Sequence, residues 1–358
     1  MAASPRFYAA NQLSTLASDI FTRAGLTPAH AQIEAANLVY SDLRGHGAHG
    51  VTRIPIYTQR LHCGVVNRAP AIRLERKSDS AAIVHGDNGP GAVVSDFAIK
   101  TAISAAQASG IGMVVVRHSN HNGSNAFYTT QATALGLIGA AATNAPVSMA
   151  VWGSRGRALG TNPFSVAIPA QRHPALVVDM ATSTVARGKI VEAAKRGESI
   201  PEGLALAPDG SPTTDAATAE AGAMLPFAGP KGSALALLVD IFCGVLSGAS
   251  FGAHVQNLYS EFERPQDNGH FFMVVDPALF LPRGEFLPRI DAFIDLMKAA
   301  PLARGFDSVL MPGEPELRSE ARHRVTGIPL LPNVIADLAA VAAEFAVPMP
   351  AGSPAPLG

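Results

Sequence analysis

The chain has 358 residues, 48% of them hydrophobic, and 27 basic against 28 acidic side chains leave a formal net charge of -1. That length exceeds the usual single domain and predicts two, with ample apolar material for a core. The balanced charge argues against a nucleic-acid or anionic-membrane surface, which needs a dense basic patch, and favours small-molecule chemistry.

Taken in order, the start MAASPRFYAANQL carries no basic region followed by an apolar run, so no secretory signal is expected. Cys63 and Cys243 are the only cysteines and sit in apolar helical patterns. A secreted disulfide framework is therefore not expected, and the cytoplasm is the expected compartment. Leu13, Leu16 and Ile20 recur at helical spacing up to Gly25, and Thr27-Pro28 supplies an N-cap and a first-turn proline for a second helix. Residues 41–57, SDLRGHGAHGVTRIPIY, then crowd two histidines, two arginines and three glycines into a turn. Ile54, Tyr57 and Leu61 follow at helical spacing and Gly64 is a stop, which predicts a third helix starting near His49.

A composition shift near residue 70 introduces strand signals. Residues 81–84, 113–116, 137–142, 164–168, 176–179 and 271–275 read as strands, and 93–108, 185–196 and 234–247 as helices. The order predicts an α/β fold, a mixed sheet flanked by helices. The most apolar stretch, 232–253, is interrupted by Asp240 and by glycines and serines and reads as a buried helix, not a membrane span. Helices are also expected from about Leu287, with Ile290, Phe293, Ile294 and Met297 on one face, and from Pro332 to about Phe345. The expected organisation is a helical part over 1–72, an α/β cofactor and substrate domain over 73–286, C-terminal helices over 287–347 that pack back on the first part, and a disordered tail over 348–358. No internal repeat is visible.

Two polar constellations stand out. If a helix begins near His49, then His49 and Arg53 share a face one turn apart, and the helix N-terminus with an arginine fork suits a small carboxylate. The alternative is a capping turn whose polar groups are merely solvated. After the 113–116 strand comes RHSNHNGSN, residues 117–125. Polar loops at the carboxyl ends of strands are where α/β proteins place ligands. His121 reads either as a functional group there or as a structural histidine bonded to a carbonyl. His46 with His49 and His118 with His121 form two H-x-x-H pairs. They open the alternative of a metal-dependent hydrolase, although no H-E-x-x-H motif is present. GDNGPG at 86–91 and GPKGS at 229–233 match neither the dinucleotide fingerprint nor the P-loop. GPKGS nonetheless opens a long apolar helix, so its amides and Lys231 either hold a ligand group or form an ordinary helix start.

The strings SDLRGHGAHGVTRIPIYTQRLHCGVVN, RHSNHNG, ALGTNPFSVAIP, VVDMATSTVARGKI, RGESIPEGLALAPDGSPTTD, LPFAGPKGSALALLVDIFCGVLSG and MPGEPE, in that order, resemble the type-2 malate/L-lactate dehydrogenase family across nearly the whole chain. The resemblance implies a homodimeric oxidoreductase with a non-Rossmann cofactor domain, using NAD or NADP, with NAD preferred here. Its substrate would be a small 2-hydroxy or 2-keto carboxylate, malate- or L-lactate-like, with ureidoglycolate, sulfolactate or diketogulonate as alternatives.

Carried onto this chain, the resemblance puts His49, Arg53 and Thr161 in the substrate pocket. His49 is the acid/base in some branches and His121 in others. It assigns cofactor contacts to His121, Asn122, Gly123, Ser124 and Asn125, to Asp179, Met180 and Ala181, to Lys231 and Gly232, and to Pro312 and Gly313. The imine-reducing branch has a serine relay partner just before the His49 position. Ala48 stands here, which shifts the expected acid/base role toward His121 and away from imine reduction. Trp152-Gly153-Ser154-Arg155 also departs from a common double glycine.

Overall fold

The computed structural model describes residues 4–354. Helices Ala10–Arg23 and Pro28–Leu43 open the chain, and Thr27 caps the second by accepting the His30 N–H at 3.2 Å. Leu13, Leu16, Ile20 and Leu38 bury against Val51, Ile54 and Leu61, and the same core is completed from the far end of the chain by Ile328, Leu330, Leu338 and Ala342. Strand Ile328–Leu330 pairs antiparallel with Arg6–Tyr8. Part of the tail expected to be disordered is tied in here: Phe7 and Ser353 exchange backbone hydrogen bonds of 2.9 and 2.8 Å, while 355–358 lie outside the described residues.

The centre is a seven-stranded sheet in the order Arg73–Arg76, Ala81–His85, Ile111–Ser119, Asn268–Val275, Ile138–Thr143, Phe164–Ile168, Leu176–Met180. Ala81–His85 and Ile111–Ser119 run parallel, joined through helix Gly91–Ser109, because a parallel pair needs such a crossover. The other neighbours are antiparallel. Val94, Ile99, Tyr128 and Leu137 pack on Val114, Val116 and Phe272 to form the core between sheet and helices. The mixed sheet flanked by helices is thus the observed fold. A smaller four-stranded sheet, built from Ala205–Leu206, Ala223–Met224, Met149–Ala150 and Arg157–Leu159, sits with helices Arg187–Arg196 and Ala216–Ala221 over its own core. Strands of two or three residues are too short for an alternating pattern, so sequence periodicity misses them.

Three expectations need correction. No α-helix starts at His49: two 3-10 turns, Gly47–His49 and Val51–Arg53, precede helix Ile54–His62. The cause is Asp42, whose buried carboxylate takes the Val51 N–H at 2.8 Å and holds the chain in tight turns, with Gly50 extended between them. The apolar helix is Pro230–Asp240 followed by a π turn, Ile241–Val245, and it is not buried all round. Leu237, Leu238, Ile241, Phe242, Val245 and Leu246 are each 39% exposed or more. Finally, helix Arg283–Lys298 is fixed to the turn between two sheet strands, where Asp291 accepts the N–H groups of Gln171, Arg172 and His173 at 3.3, 2.9 and 3.1 Å. Helix Glu314–Thr326 does meet the N-terminal helices, with His323 Nδ1 2.9 Å from the Leu43 carbonyl.

Candidate active site

Strand Ile111–Ser119 ends in the 120–125 loop, and the first residues of that loop meet the 47–57 segment face to face. The start of helix Gly91–Ser109 lies so close that a Cβ at Gly91 would sit 2.1 Å from the His121 carbonyl oxygen. Gly91 therefore serves close packing, and the GDNGPG turn has that purpose in the fold. Gln266 Oε1 accepts the His121 N–H at 3.1 Å. With its backbone held on both sides, the His121 ring stacks on His49 at 5.8 Å between centroids and 11° between planes.

His121 Nδ1 lies 2.6 Å from the Tyr57 hydroxyl, and the Gly123 N–H also points at it, at 3.3 Å. Burial, with the positive field of Arg53, pulls His121 well below the usual histidine value. His49 is drawn down to about 4 by burial, Arg53 and His46. Both rings are therefore neutral at pH 7, able to take up or release a proton without a resident charge.

Arg53 completes the group. Its Nε donates to the Ala48 carbonyl at 2.7 Å, Nη1 is buried without a partner, and the guanidinium lies 5.4 Å from the Tyr259 ring centroid. Ala48 lacks a hydroxyl, yet its backbone oxygen fixes the arginine. A buried guanidinium with an unpaired N–H is an anion receptor, and a carboxylate fits its fork. His49 and Arg53 thus converge as expected, through two 3-10 turns instead of one helical face.

A separate cleft of about 370 Å³ is lined by Tyr40, Arg44, His46, Ser124, Asp179, Met180, Pro312, Gly313 and Glu316 among others, while His49, Arg53, His121 and Gly123 do not line it. Three separate segments of the expected cofactor set therefore meet at one cleft. Asp179 accepts from Ser124 Oγ at 3.1 Å and from the Ala126 N–H at 3.2 Å, and burial raises its carboxyl. Gly313 adopts φ +92°, and a Cβ there would sit 3.0 Å from Val177 Cβ, so a side chain would be strained. Arg44 Nε and Nη1 are buried without partners, while Nη2 pairs with Glu320 at 3.2 Å. The unpaired Arg44 N–H groups at this cleft suit an anionic group.

Asn122 and Asn125 are buried braces, bonded to each other at 3.3 Å and to Ser95 and Pro163. Thr161, Ala181, Lys231 and Gly232 do not line the cleft. They are linked through the backbone, because Thr182 donates to the Thr161 carbonyl, Phe227 to Thr182, and Gly232 to Phe227. Lys231 is exposed at the start of helix Pro230–Asp240. The two H-x-x-H pairs do not converge on a metal centre. His46 faces Glu316 at 3.8 Å, His118 faces Asp267 at 3.0 Å, and His49 stacks on His121. Among the described residues no group of three or more histidine, cysteine or acidic side chains could hold a metal ion. Also among them, no helix is long and apolar enough to cross a membrane.

Sequence reading missed Tyr57, Glu34, Asp42, Arg44 and Gln266 as members of this neighbourhood. Glu34 gave a usable signal, since a carboxylate beside Ala31, Ala35 and Leu38 on a core-facing stripe must have a buried partner.

Residues 8–339 match a family model described as malate/L-lactate dehydrogenase. The L-sulfolactate dehydrogenase of Methanocaldococcus jannaschii is 37% identical over 86% of this chain and 88% of its own. The malate dehydrogenase of Pyrococcus horikoshii is 37% identical over 92% of each chain, and the NAD(+) ureidoglycolate dehydrogenase of Escherichia coli K12 33% identical over 90% and 92%. The solved structure of the first superposes with a TM-score of 0.90, covering 96% of this chain and 98% of that one.

Proposed function

Because the chain belongs to the malate/L-lactate dehydrogenase family, we propose that it interconverts a small 2-hydroxy acid and its 2-keto acid by hydride exchange with a nicotinamide cofactor. The observation that supports this reading is the convergence of Arg53, with a buried unpaired N–H, and two neutral stacked histidines. The substrate is malate- or L-lactate-like, since Arg53 suits a carboxylate on the carbon next to the reacting one. Sulfolactate and ureidoglycolate, named for relatives, carry the same 2-hydroxy acid unit.

Ser124, Asp179, Met180, Pro312, Gly313 and Arg44 would hold the cofactor, with His121 at its reactive end. The bound nicotinamide supplies or accepts the hydride. Arg53 grips the carboxylate and orients the 2-carbon, and His121 exchanges the proton at the 2-oxygen. His49, stacked on that ring, helps to fix its orientation. Glu316 and Asp179 bring two carboxylates to the cleft. Carboxylates accept from a ribose diol and repel a 2′-phosphate, so we favour NAD over NADP.

We also take the working unit to be a homodimer, in which a second copy covers the exposed Leu238, Ile241, Phe242 and Val245 face. Cys63 and Cys243 are free, which suits the reducing cytoplasm. The test is oxidation of NADH and of NADPH with pyruvate, oxaloacetate, sulfopyruvate and a non-carboxylate ketone. Turnover of at least one 2-keto acid, faster with NADH, and none of the plain ketone is expected. Inactivity toward every 2-keto acid with either cofactor would overturn the proposal.

A further inference from the structure

Behind His121, away from the substrate side, lies a second group of polar side chains that the reaction above does not use. A small cavity of about 30 Å³, room for a water molecule, is lined by Glu34, Tyr57, Arg60, Asn120, His121 and Gln266 among apolar neighbours. Glu34 is 3% exposed and accepts the Ala92 N–H at 3.1 Å through Oε1. A carboxyl group has no packing reason to occupy such a place, and burying it is costly unless it is protonated or paired. Arg60 lies there too, but its Nη atoms are committed to the carbonyls of Leu258, Glu261 and Arg264.

The hydrogen bonds fix which His121 nitrogen carries the proton. A backbone N–H can only donate, so the contact from Gly123 makes Nδ1 an acceptor, and the Tyr57 hydroxyl donates to the same atom. The neutral ring therefore carries its proton on Nε2, which has no partner among the described residues and is not sealed. A ring in this state offers the substrate a proton, not a lone pair. It is set for reduction of a keto acid.

We propose that Tyr57 and Glu34 form a proton line behind His121: Tyr57 locks the Nε2–H tautomer and, as Nε2 gives up its proton, passes its own to Nδ1, with Glu34 restoring it across the cavity. The inference rests on the reading of His121 as the acid/base group. When hydride reaches the 2-carbon, the carbonyl π pair becomes an oxygen lone pair. That oxygen takes the proton from Nε2, Nδ1 takes the Tyr57 proton, and the tyrosine oxygen takes a proton from a solvent water in the cavity that in turn takes the proton of the Glu34 carboxyl. The net change is a neutral His121 in its Nδ1–H form, a neutral Tyr57 and a Glu34 carboxylate; once product leaves, the open Nε2 takes a proton from solvent while Nδ1 returns its proton through Tyr57 to Glu34, which restores the starting state. Oxidation of the hydroxy acid runs the line in reverse. The charged and titratable groups facing it are His49, Arg53 and His270 around His121, Arg53 near Tyr57, Arg60 across the cavity, and Tyr128 near Glu34. Burial raises Glu34 to about 7, so its carboxyl is available near neutrality.

The test combines 15N NMR of histidine-labelled protein with single-turnover kinetics of keto-acid reduction. The His121→Gln spectrum identifies the His121 signals. In the wild type these should report the Nε2–H tautomer, and in Tyr57→Phe a mixture of both. Tyr57→Phe should slow single-turnover reduction about 10- to 100-fold, with keto-acid KM changed less than about threefold. Wild-type reduction should fall above pH about 7, with Glu34, and Glu34→Gln should be slow and lose that fall. An Nδ1–H tautomer in the wild type, full speed in Tyr57→Phe, or a retained fall in Glu34→Gln would each overturn the proton line. If the wild type reduces no 2-keto acid, the dehydrogenase reading fails, and the tautomer measurement still decides whether Tyr57 locks the ring. If reduction is fast and Tyr57→Phe matches it, the relay fails and the dehydrogenase reading stands.

Discussion

Arg53 spends one nitrogen on the Ala48 carbonyl and leaves another buried and unpaired. An unpaired buried N–H is costly in the free protein and is satisfied only when an acceptor arrives, so its geometry selects a planar carboxylate. Lysine would keep the charge and lose the fork. Arg53→Lys should therefore lower kcat/KM for the preferred 2-keto acid by about 2 to 4 kcal/mol of transition-state binding. An unchanged kcat/KM would mean that the carboxylate is held elsewhere. His49, Arg53 and His121 were legible in the sequence because they lie in two dense polar strings flanked by glycine. Tyr57 was not, because it occupies a helical position that periodicity assigns to the core, and Glu34, a carboxylate on a core-facing stripe, signalled a buried partner that only the fold identifies.

At the level of elements, strands such as Phe164–Ile168 and Leu176–Met180 lay within a residue of expectation, because β-branched runs end at clear turn residues. The 47–53 segment was not legible, since a side chain nine residues from its backbone partner, Asp42 on Val51, overrides local spacing. That brace has a pH signature. Asp42 titrates at about 7 in the fold against 3.8 when free, so the folded state binds the extra proton. Its contribution is fully present below 3.8 and is lost as pH rises through about 7. His49 acts oppositely, costing stability as pH falls from 6.5 toward about 4. Asp42→Asn keeps an acceptor for Val51 and removes the titration, so its melting temperature should gain on the wild type between pH 5 and 8. Parallel curves for the two proteins would show that Asp42 does not titrate in that range.

For the whole molecule, the apolar string around 232–253 was read as a core helix because a helix apolar on every side usually is one. In the single chain its outer face meets solvent, with Val245 56% and Leu246 50% exposed. A patch of that kind is unusual on a lone chain and normal at an obligate interface. If the proposed dimer forms, Phe242→Asp combined with Val245→Asp should convert it to a monomer in sedimentation without unfolding it, and a wild type that sediments as a monomer would refute the dimer. The helix from Pro332 was legible as an amphipathic segment needing a partner, whereas helix Glu314–Thr326 and the pairing of Ile328–Leu330 with Arg6–Tyr8 were not read from the sequence. What unites the molecule is that both ends of the chain brace the 47–57 segment against the loop that follows strand Ile111–Ser119 and carries His121.

The proposed reaction moves a hydride between a nicotinamide and the 2-carbon of a carboxylic acid. It is tested most directly by supplying NADH deuterated at C4, on either face, with the preferred 2-keto acid, and analysing the product by mass spectrometry and NMR. The account predicts a 2-hydroxy acid carrying deuterium at C2 from one face only, with no label from deuterated water at that carbon and with transfer abolished in His121→Ala. A product labelled from solvent at C2, or no transfer from either face with NADH or NADPH, would contradict it.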